Sequence, residues 1–321
     1  QTRQQHMDTL REIYGYKTFT GRGARDLREW TFGQAEDARS NEDLAHRFIV
    51  RCRETSTILP AVSTIERLCA DALVAAERRI ETRIAENLTA DVRDHLDKLL
   101  SEMLAGNISR FIWLRNFEVG NNSAAANRLL DRLEFLRTLN INHSALASIP
   151  AHRIARLRRQ GERYFTDGLR DITSDRRWAI LAVCVVEWEA AIADAIVETH
   201  DRIVGKTWRE AKRQHDETIS GSKATLTDTI RTFTALGASL LEARSDGTPL
   251  EMAVASSVAW DRLAQLVATG TQLSNTLADE PLAYVGQGYH RFRRYAPRML
   301  RCLKLEAAPV AGPLVAAALS I

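Results

Sequence analysis

The stretch Asn41-Glu42-Asp43-Leu44-Ala45-His46-Arg47-Phe48-Ile49-Val50-Arg51-Cys52-Arg53-Glu54 opens the reading of the fold. Its apolar positions Leu44, Phe48 and Ile49 share one helical face. After Ile58-Leu59-Pro60, the run Ser63-Thr64-Ile65-Glu66 fits a capping box, with the Ser63 hydroxyl capping and Glu66 reaching back. The helix that starts there is expected to continue to about Asn87. A helix, a short proline-bearing turn and a capped helix are compatible with a helix-turn-helix, whose second helix sets its amino-terminal side chains against base edges. Ser63, Thr64, Arg67 and Arg78 would then face DNA. The same pattern also fits an ordinary helical hairpin.

Working outward, a polar helix over Arg3–Tyr14 and a short one over Gly23–Trp30 complete a first module, 1–88. Thr89, another cap, opens a second module, 89–150, with helices near Ala90–Leu104, Ile108–Asn116 and Ser123–Asn140. Gly106-Asn107 and Gly120-Asn121-Asn122 separate them as strong breakers. Within it, Arg110, Trp113 and Arg115 could present two guanidinia and an indole to a nucleic-acid backbone. Trp113 in the core with the arginines at the rim is the competing arrangement.

The third region, 151–321, opens with Pro150 at a helix start. Arg156, Arg159 and Arg163 are spaced by three and four, so they line one face, with Arg153 a turn earlier. A long helix is expected from about Ser174 to Ile219, ended by Ser220-Gly221-Ser222. Helices that long bridge domains or form a dimer seam. Further helices are expected near Lys223–Arg244, Pro249–Ala268 and Pro281–Leu305, with a break at Asp246-Gly247-Thr248-Pro249.

Ala, Leu, Arg and Glu dominate the 321 residues, prolines number seven, and almost no stretch alternates with period two. The class is therefore all-α, a multi-module helical array. With 45% hydrophobic and 26% charged residues the chain is globular, not disordered. The formal net charge is only +3, yet Tyr289–Lys304 carries five Arg and one Lys without an acid. Ala151–Phe165 carries five Arg against one Glu. A guanidinium suits phosphate because its planar fork donates two hydrogen bonds to one anion. A solvated face or a set of internal ion pairs would use the same residues.

Cys52, Cys69, Cys184 and Cys302 are far apart without a C-x-x-C pair, as expected of reduced, mostly buried thiols in a cytoplasmic protein. Gln1–Leu10 is too polar for a signal peptide, and Trp178–Val186 is followed by Glu187, Glu189 and Asp194, which excludes a membrane span there. The apolar end, Ala307–Ile321, is too short to span, and both ends look cut, as in a segment of a longer protein. Gly205-Lys206-Thr207 lacks the earlier glycine of a phosphate loop, since His200 stands there. Gly286-Gln287-Gly288 lacks a third glycine and a strand. Asp194 and Glu198 lie one helical turn apart with His200 and Asp201 just beyond; a metal site is conceivable there, but such acids on a long helix are expected to face water. No catalytic residue, metal ligand or cofactor is assigned.

Taken in order, these segments resemble the amino-terminal half of replicative DDE transposases of the Tn-three type. Tyr14-Gly15-Tyr16-Lys17-Thr18-Phe19 with Ala24-Arg25-Asp26-Leu27-Arg28-Glu29-Trp30 is similar to an early block of that family. Leu59-Pro60-Ala61-Val62-Ser63-Thr64-Ile65-Glu66-Arg67-Leu68 is similar to its most recognisable amino-terminal signature. Ser109-Arg110 with Trp113-Leu114-Arg115, Arg153-Ile154-Ala155-Arg156-Leu157, His200-Asp201-Arg202-Ile203-Val204-Gly205 and Arg293-Arg294-Tyr295-Ala296-Pro297 continue it, and Ala307-Ala308-Pro309-Val310-Ala311 closes it. The resemblance implies a bacterial, cytoplasmic protein whose helical modules bind double-stranded DNA at the transposon's terminal inverted repeats. It implies phosphate or base contacts from Ser63, Thr64, Arg67, Arg78, Arg110, Arg115, Arg153, Arg156, Arg159 and Arg163. It also implies a homodimer of the full-length protein. In this family a carboxy-terminal RNase H-like domain carries the acidic triad and two divalent ions such as Mg²⁺. No position here matches that triad, so the segment itself is expected not to be an enzyme. A dimerisation scaffold and a truncated, inactive remnant are the alternatives.

Overall fold

In the computed structural model, which describes residues 2–278 and 280–303, the heptad-like apolar spacings become helices α1 (Arg3–Tyr14), α2 (Gly21–Gln34), α3 (Asn41–Glu54) and α4 (Val62–Glu86). The α3 helix is well specified locally. The Ser40 hydroxyl accepts from the Asp43 N–H, Glu42 and Asp43 occupy the first turn, and Arg51 and Arg53 the last. That order of charges complements the helix dipole. Its buried face, Leu44, Phe48 and Cys52, packs with Leu27 of α2 and with Ile65, Leu68, Cys69, Ala72 and Ala76 of α4. Burying a Leu or Phe stabilises by roughly 1.5–3 kcal/mol, so this three-helix core is the main local driving force.

The start of α4 departs from the expected capping box. The N-cap is Ala61, which makes no side-chain cap bond, and Ser63 stands inside the first turn. The Ala61 carbonyl accepts from Thr64 and Ile65 instead. Pro60 and the register that buries Ile65, Leu68 and Cys69 set the start, and a hydroxyl two residues into the helix cannot reach back to cap it. Thr89 does cap as expected, accepting from the Val92 N–H at 3.3 Å, and it opens α5 (Ala90–Ser101).

At Gly106-Asn107 the chain makes more than a break. Strands β1 (Met103–Leu104) and β2 (Ile108–Ser109) pair antiparallel, Met103 opposite Ser109 and Leu104 opposite Ile108. Ser109 then caps α6 (Arg110–Arg115). The chain continues through α7 (Ser123–Thr138), α8 (Ser144–Ala147), α9 (Ala151–Arg163) and α10 (Thr166–Arg170) to α11 (Ser174–Asp246). These two-residue strands are the only named ones among the described residues, and the class is all-α as expected.

Helix α11 runs for 73 residues and passes straight through Ser220-Gly221-Ser222, where a stop was expected. The Ser222 hydroxyl donates to the Thr218 carbonyl and that of Thr218 to the Gln214 carbonyl, so small polar residues bond back into the helix. A single glycine costs only about 1 kcal/mol against alanine, which one turn of a long helix absorbs. The helix ends instead at Asp246, before Gly247 in the left-handed region. Beyond lie α12 (Leu250–Ser257), α13 (Trp260–Ala278), α14 (Pro281–Val285), a 3₁₀ turn over Gly286–Arg291, and α15 (Ala296–Leu303). The single helix expected over Pro281–Leu305 is thus divided, and the Ala307–Ile321 segment lies outside the described residues.

The chain divides into two compact units, one built of residues up to 117 with 131–194, the other of 118–130 with the chain from 195 onward. Their limits do not coincide with the breaks at 88 and 150. In the first unit, residues from all three expected modules are stitched together: Thr82 bonds Asp175, Arg177 bonds Asp97, and Arg153 reaches the end of α2. There α9 lies so close to α11 that a Cβ on Gly161 would sit 2.2 Å from the Cys184 sulfur. In the second unit, a Cβ on Gly288 would sit 2.4 Å from a Thr207 methyl carbon. Cys52, Cys69 and Cys184 are buried free thiols. Among the described residues, no helix is long and apolar enough to cross a membrane.

Candidate nucleic-acid interface

The α2–α4 core fixes which side of α4 remains bare. Ser63 and Arg67 are exposed near its start and Arg78 farther along, while Thr64 is half-buried. Leu59 and Val62 beside the start are exposed apolar groups, Val62 to 70%. Arg67 makes no hydrogen bond or ion pair with a described residue. Arg78 stands on an open cleft that Glu77, Glu81, Asp171 and Asp175 also line. Burial pushes the Glu81 carboxyl above its usual range, opposed by the charge of Arg176. The field at Arg78 is therefore mixed, and Arg67 is the cleaner cation of the two.

The arginines expected to hold phosphates divide into two kinds. Arg153 is 3% exposed. Its guanidinium donates to the carbonyls of Ala35 at 2.6 Å, Ala38 at 3.0 Å and Glu36 at 3.3 Å, and lies 3.5 Å from Glu77. This corrects the sequence expectation for Arg153: it closes the carboxyl end of α2 from inside the first unit and offers no surface to a ligand. Arg115 donates to Tyr164 and Glu162 carbonyls at 2.8 and 3.2 Å, closing the end of α9. Arg110 pairs with Glu102 and lies over the Phe135 and Trp113 rings. Trp113 is half-buried, packed edge-on against Phe135 with the Arg110 and Arg132 guanidinia over its ring, so its indole is engaged within the first unit.

On α9, Arg156 pairs with Glu77 at 2.5 Å, and Arg158 bridges Glu162 and Glu187. Arg159 is exposed with its Nε–H on the Ala155 carbonyl of its own helix. Arg163 is exposed without a hydrogen bond or ion pair to a described residue. Of the expected phosphate contacts, then, only Arg156, Arg159 and Arg163 share an exposed face, and only Arg163 there is unpaired.

Sequence reasoning missed a repeated device. The last carbonyls of a helix have no partner within it. Arg79 serves Phe32 at the end of α2, Arg93 serves Ala85 at the end of α4, Arg170 serves Leu100 in α5, and Arg132 serves Trp113 and Asn116 around the end of α6. The signal was present as arginine abundance in a chain of many short helices, but not which carbonyl each would meet. Glu36 joins this framework, taking bonds from Arg83 at 2.9 Å and Arg79 at 3.2 Å. Burial alone would raise its carboxyl, and the two guanidinia outweigh that and hold it below its usual range.

Among the described residues no three His, Cys, Asp or Glu side chains are grouped as metal ligands. Gly205-Lys206-Thr207 lies within α11, where Thr207 bonds the Ile203 carbonyl, which agrees with rejecting a phosphate loop.

Residues 1–72 match a family model described as a domain of unknown function, DUF4158. Over 311 residues the chain is 30% identical to the transposase for transposon Tn3926 of Escherichia coli, covering 97% of this chain and 31% of that protein. The transposase for transposon Tn21, also from Escherichia coli, is 30% identical over 97% of this chain and 32% of its own length. The transposase for transposon Tn501 of Pseudomonas aeruginosa is 30% identical over 98% of this chain and 32% of its own length. The chain spans about a third of the length of these curated relatives, and it is similar to them over almost its whole own length.

Proposed function

We propose that this chain is the end-recognition part of a DNA transposase, binding double-stranded DNA at the element's terminal inverted repeats. The observation that carries this reading is the bare outer face at the start of α4, with Ser63 and Arg67 exposed on a helix seated by α2 and α3. The relatives' description as transposases supports it. In this reading α4 enters the major groove, and Arg156, Arg159 and Arg163 hold phosphates that position it. In the same reading, strand cleavage and its divalent ions are left to parts of the relatives that this chain does not match.

The test is a binding titration with a duplex carrying the element's end and a scrambled duplex. Arg67→Ala lowers affinity for the end about tenfold or more, the worth of one good base contact, and changes scrambled-duplex binding little. Equal losses on both duplexes would remove Arg67 from base reading.

Assembly of two copies is a second reading, favoured by the exposed Ile230, Phe233 and Leu241, which recur along one stripe of α11. Sedimentation of the whole chain at high concentration tests it. A dimer that Ile230→Glu with Leu241→Glu converts to monomer is expected, and a wild-type monomer would overturn it.

A further inference from the structure

The second unit carries a cationic surface that none of the expected contacts includes. Between Arg202 and Arg213, α11 presents Arg202, Lys206, Arg209, Lys212 and Arg213, all exposed. Arg202, Lys206, Arg209 and Arg213 follow steps of four, three and four, so they form one stripe about 17 Å long at 1.5 Å per residue. Arg202 pairs with Glu198 and Arg213 with Glu217, one turn beyond either end. Lys206, Arg209 and Lys212 make no hydrogen bond or ion pair with a described residue.

The one acid within the stretch, Glu210, is neutralised at 2.5 Å by Arg291, whose hydrogen bond is the main cause of its lowered pKa. Arg291 also donates to Thr207, and the Tyr295 hydroxyl bonds His200 at 2.9 Å. These contacts tie the segment 291–295 to α11, and Arg293 and Arg294 stand exposed between the two ties. Two cationic runs far apart in sequence are thereby brought to one unit, without an unpaired carboxylate between Arg202 and Arg213.

We propose that this surface, Lys206, Arg209 and Lys212, binds the phosphate backbone of duplex DNA as a second contact separate from α4. The choice of duplex DNA rests on the proposed function above. Independently of it, the surface demands a polyanion. Three cations without an ion pair to a described residue, Lys206, Arg209 and Lys212, repeat over about 9 Å of helix and match charges repeated along a strand, whereas one carboxylate or free phosphate would engage only one of them. Such contacts carry no base information, so the surface adds affinity without sequence preference.

The test uses the whole chain with the three substitutions Lys206→Ala, Arg209→Ala and Lys212→Ala together, titrated with end-carrying and scrambled duplexes at several salt concentrations. Affinity for both duplexes falls by a similar factor, on the order of tenfold. The slope of log affinity against log salt flattens by about 0.9 per lost phosphate contact, so by two to three. Arg67→Ala in the same assay changes only the end-carrying duplex. Unchanged affinity and slope in the triple variant, while wild type binds, would overturn this surface and leave the proposed function standing. A wild-type chain that binds neither duplex would overturn both. Loss of binding to phosphatidylserine vesicles, with duplex binding kept, would reassign the surface to a membrane. Lysine acetylation of the wild-type chain gives a measure free of any folding defect: duplex DNA is expected to protect Lys206 and Lys212, and equal labelling with and without DNA would contradict the proposal.

Discussion

Helix α9 and the 202–213 stretch of α11 look alike as sequence, each carrying five cations in about a dozen residues. They fold into opposite situations. On α9, Arg153 is buried on carbonyls, Arg156 and Arg158 are paired with acids, Arg159 is turned onto its own helix, and only Arg163 makes no hydrogen bond or ion pair with a described residue. On α11, the two outer arginines are paired along the helix and the three cations between them make no hydrogen bond or ion pair with a described residue. What separates the two is the supply of partners. Helix α9 lies in the unit where many short helices end, and each end leaves orphan carbonyls that a guanidinium can serve. The 202–213 stretch lies in the middle of a long helix whose own carbonyls are already bonded. Arginine density therefore leads to two situations, partnered and bare, and the neighbouring helix ends decide between them.

The sharpest way to break this comparison is Arg153→Ala set against Arg209→Ala. Removing Arg153 takes a donor from the carbonyls of Ala35, Glu36 and Ala38, while Glu77 keeps Arg156, and is expected to cost about 3 kcal/mol of stability. Arg209→Ala removes an exposed cation and should stay within about 0.5 kcal/mol of wild type. Arg153→Lys recovers only part of the loss, because an ammonium cannot spread its donors over carbonyls that a planar fork reaches together. Urea unfolding of the three variants measures all of this. A mild Arg153→Ala phenotype would mean that the carbonyls find water, and the distinction between the two helices would collapse.

Much of the fold was legible because its signals are local. The apolar period of α3, the Thr89 cap and the proline before α9 depend on residues within one or two turns, and each formed where expected. The capping box at Ser63 failed because packing of Ile65 and Leu68 set the helix start two residues ahead of the hydroxyl. The stop at Ser220-Gly221-Ser222 failed because the Ser222 hydroxyl bonds inward to Thr218 and the helix on either side is long. The candidate site was less legible for a related reason. Whether Arg67 is bare or Arg153 is buried depends on contacts such as Arg153 with Ala35, 118 residues away in sequence, which no local pattern contains.

A smaller effect sharpens the same comparison from the acid side. Glu36 receives Arg79 and Arg83 at the end of α2, and it is held below its usual value of 4.5 although burial alone would raise it. A carboxyl whose folded pKa is depressed contributes stability that is present above the unfolded value and lost as pH falls through the folded one. Glu36→Gln should therefore destabilise by about 1 kcal/mol at pH 7, discounted for its partial exposure to water. The difference from wild type should shrink below pH 4.5 and vanish once the folded carboxyl is protonated. Unfolding curves at neutral and acid pH read the two limits. A difference that persists unchanged in acid would assign the loss to the shape of the side chain, and the ion pairs around α2 would then be no different in kind from the solvated ones that bound the stripe on α11.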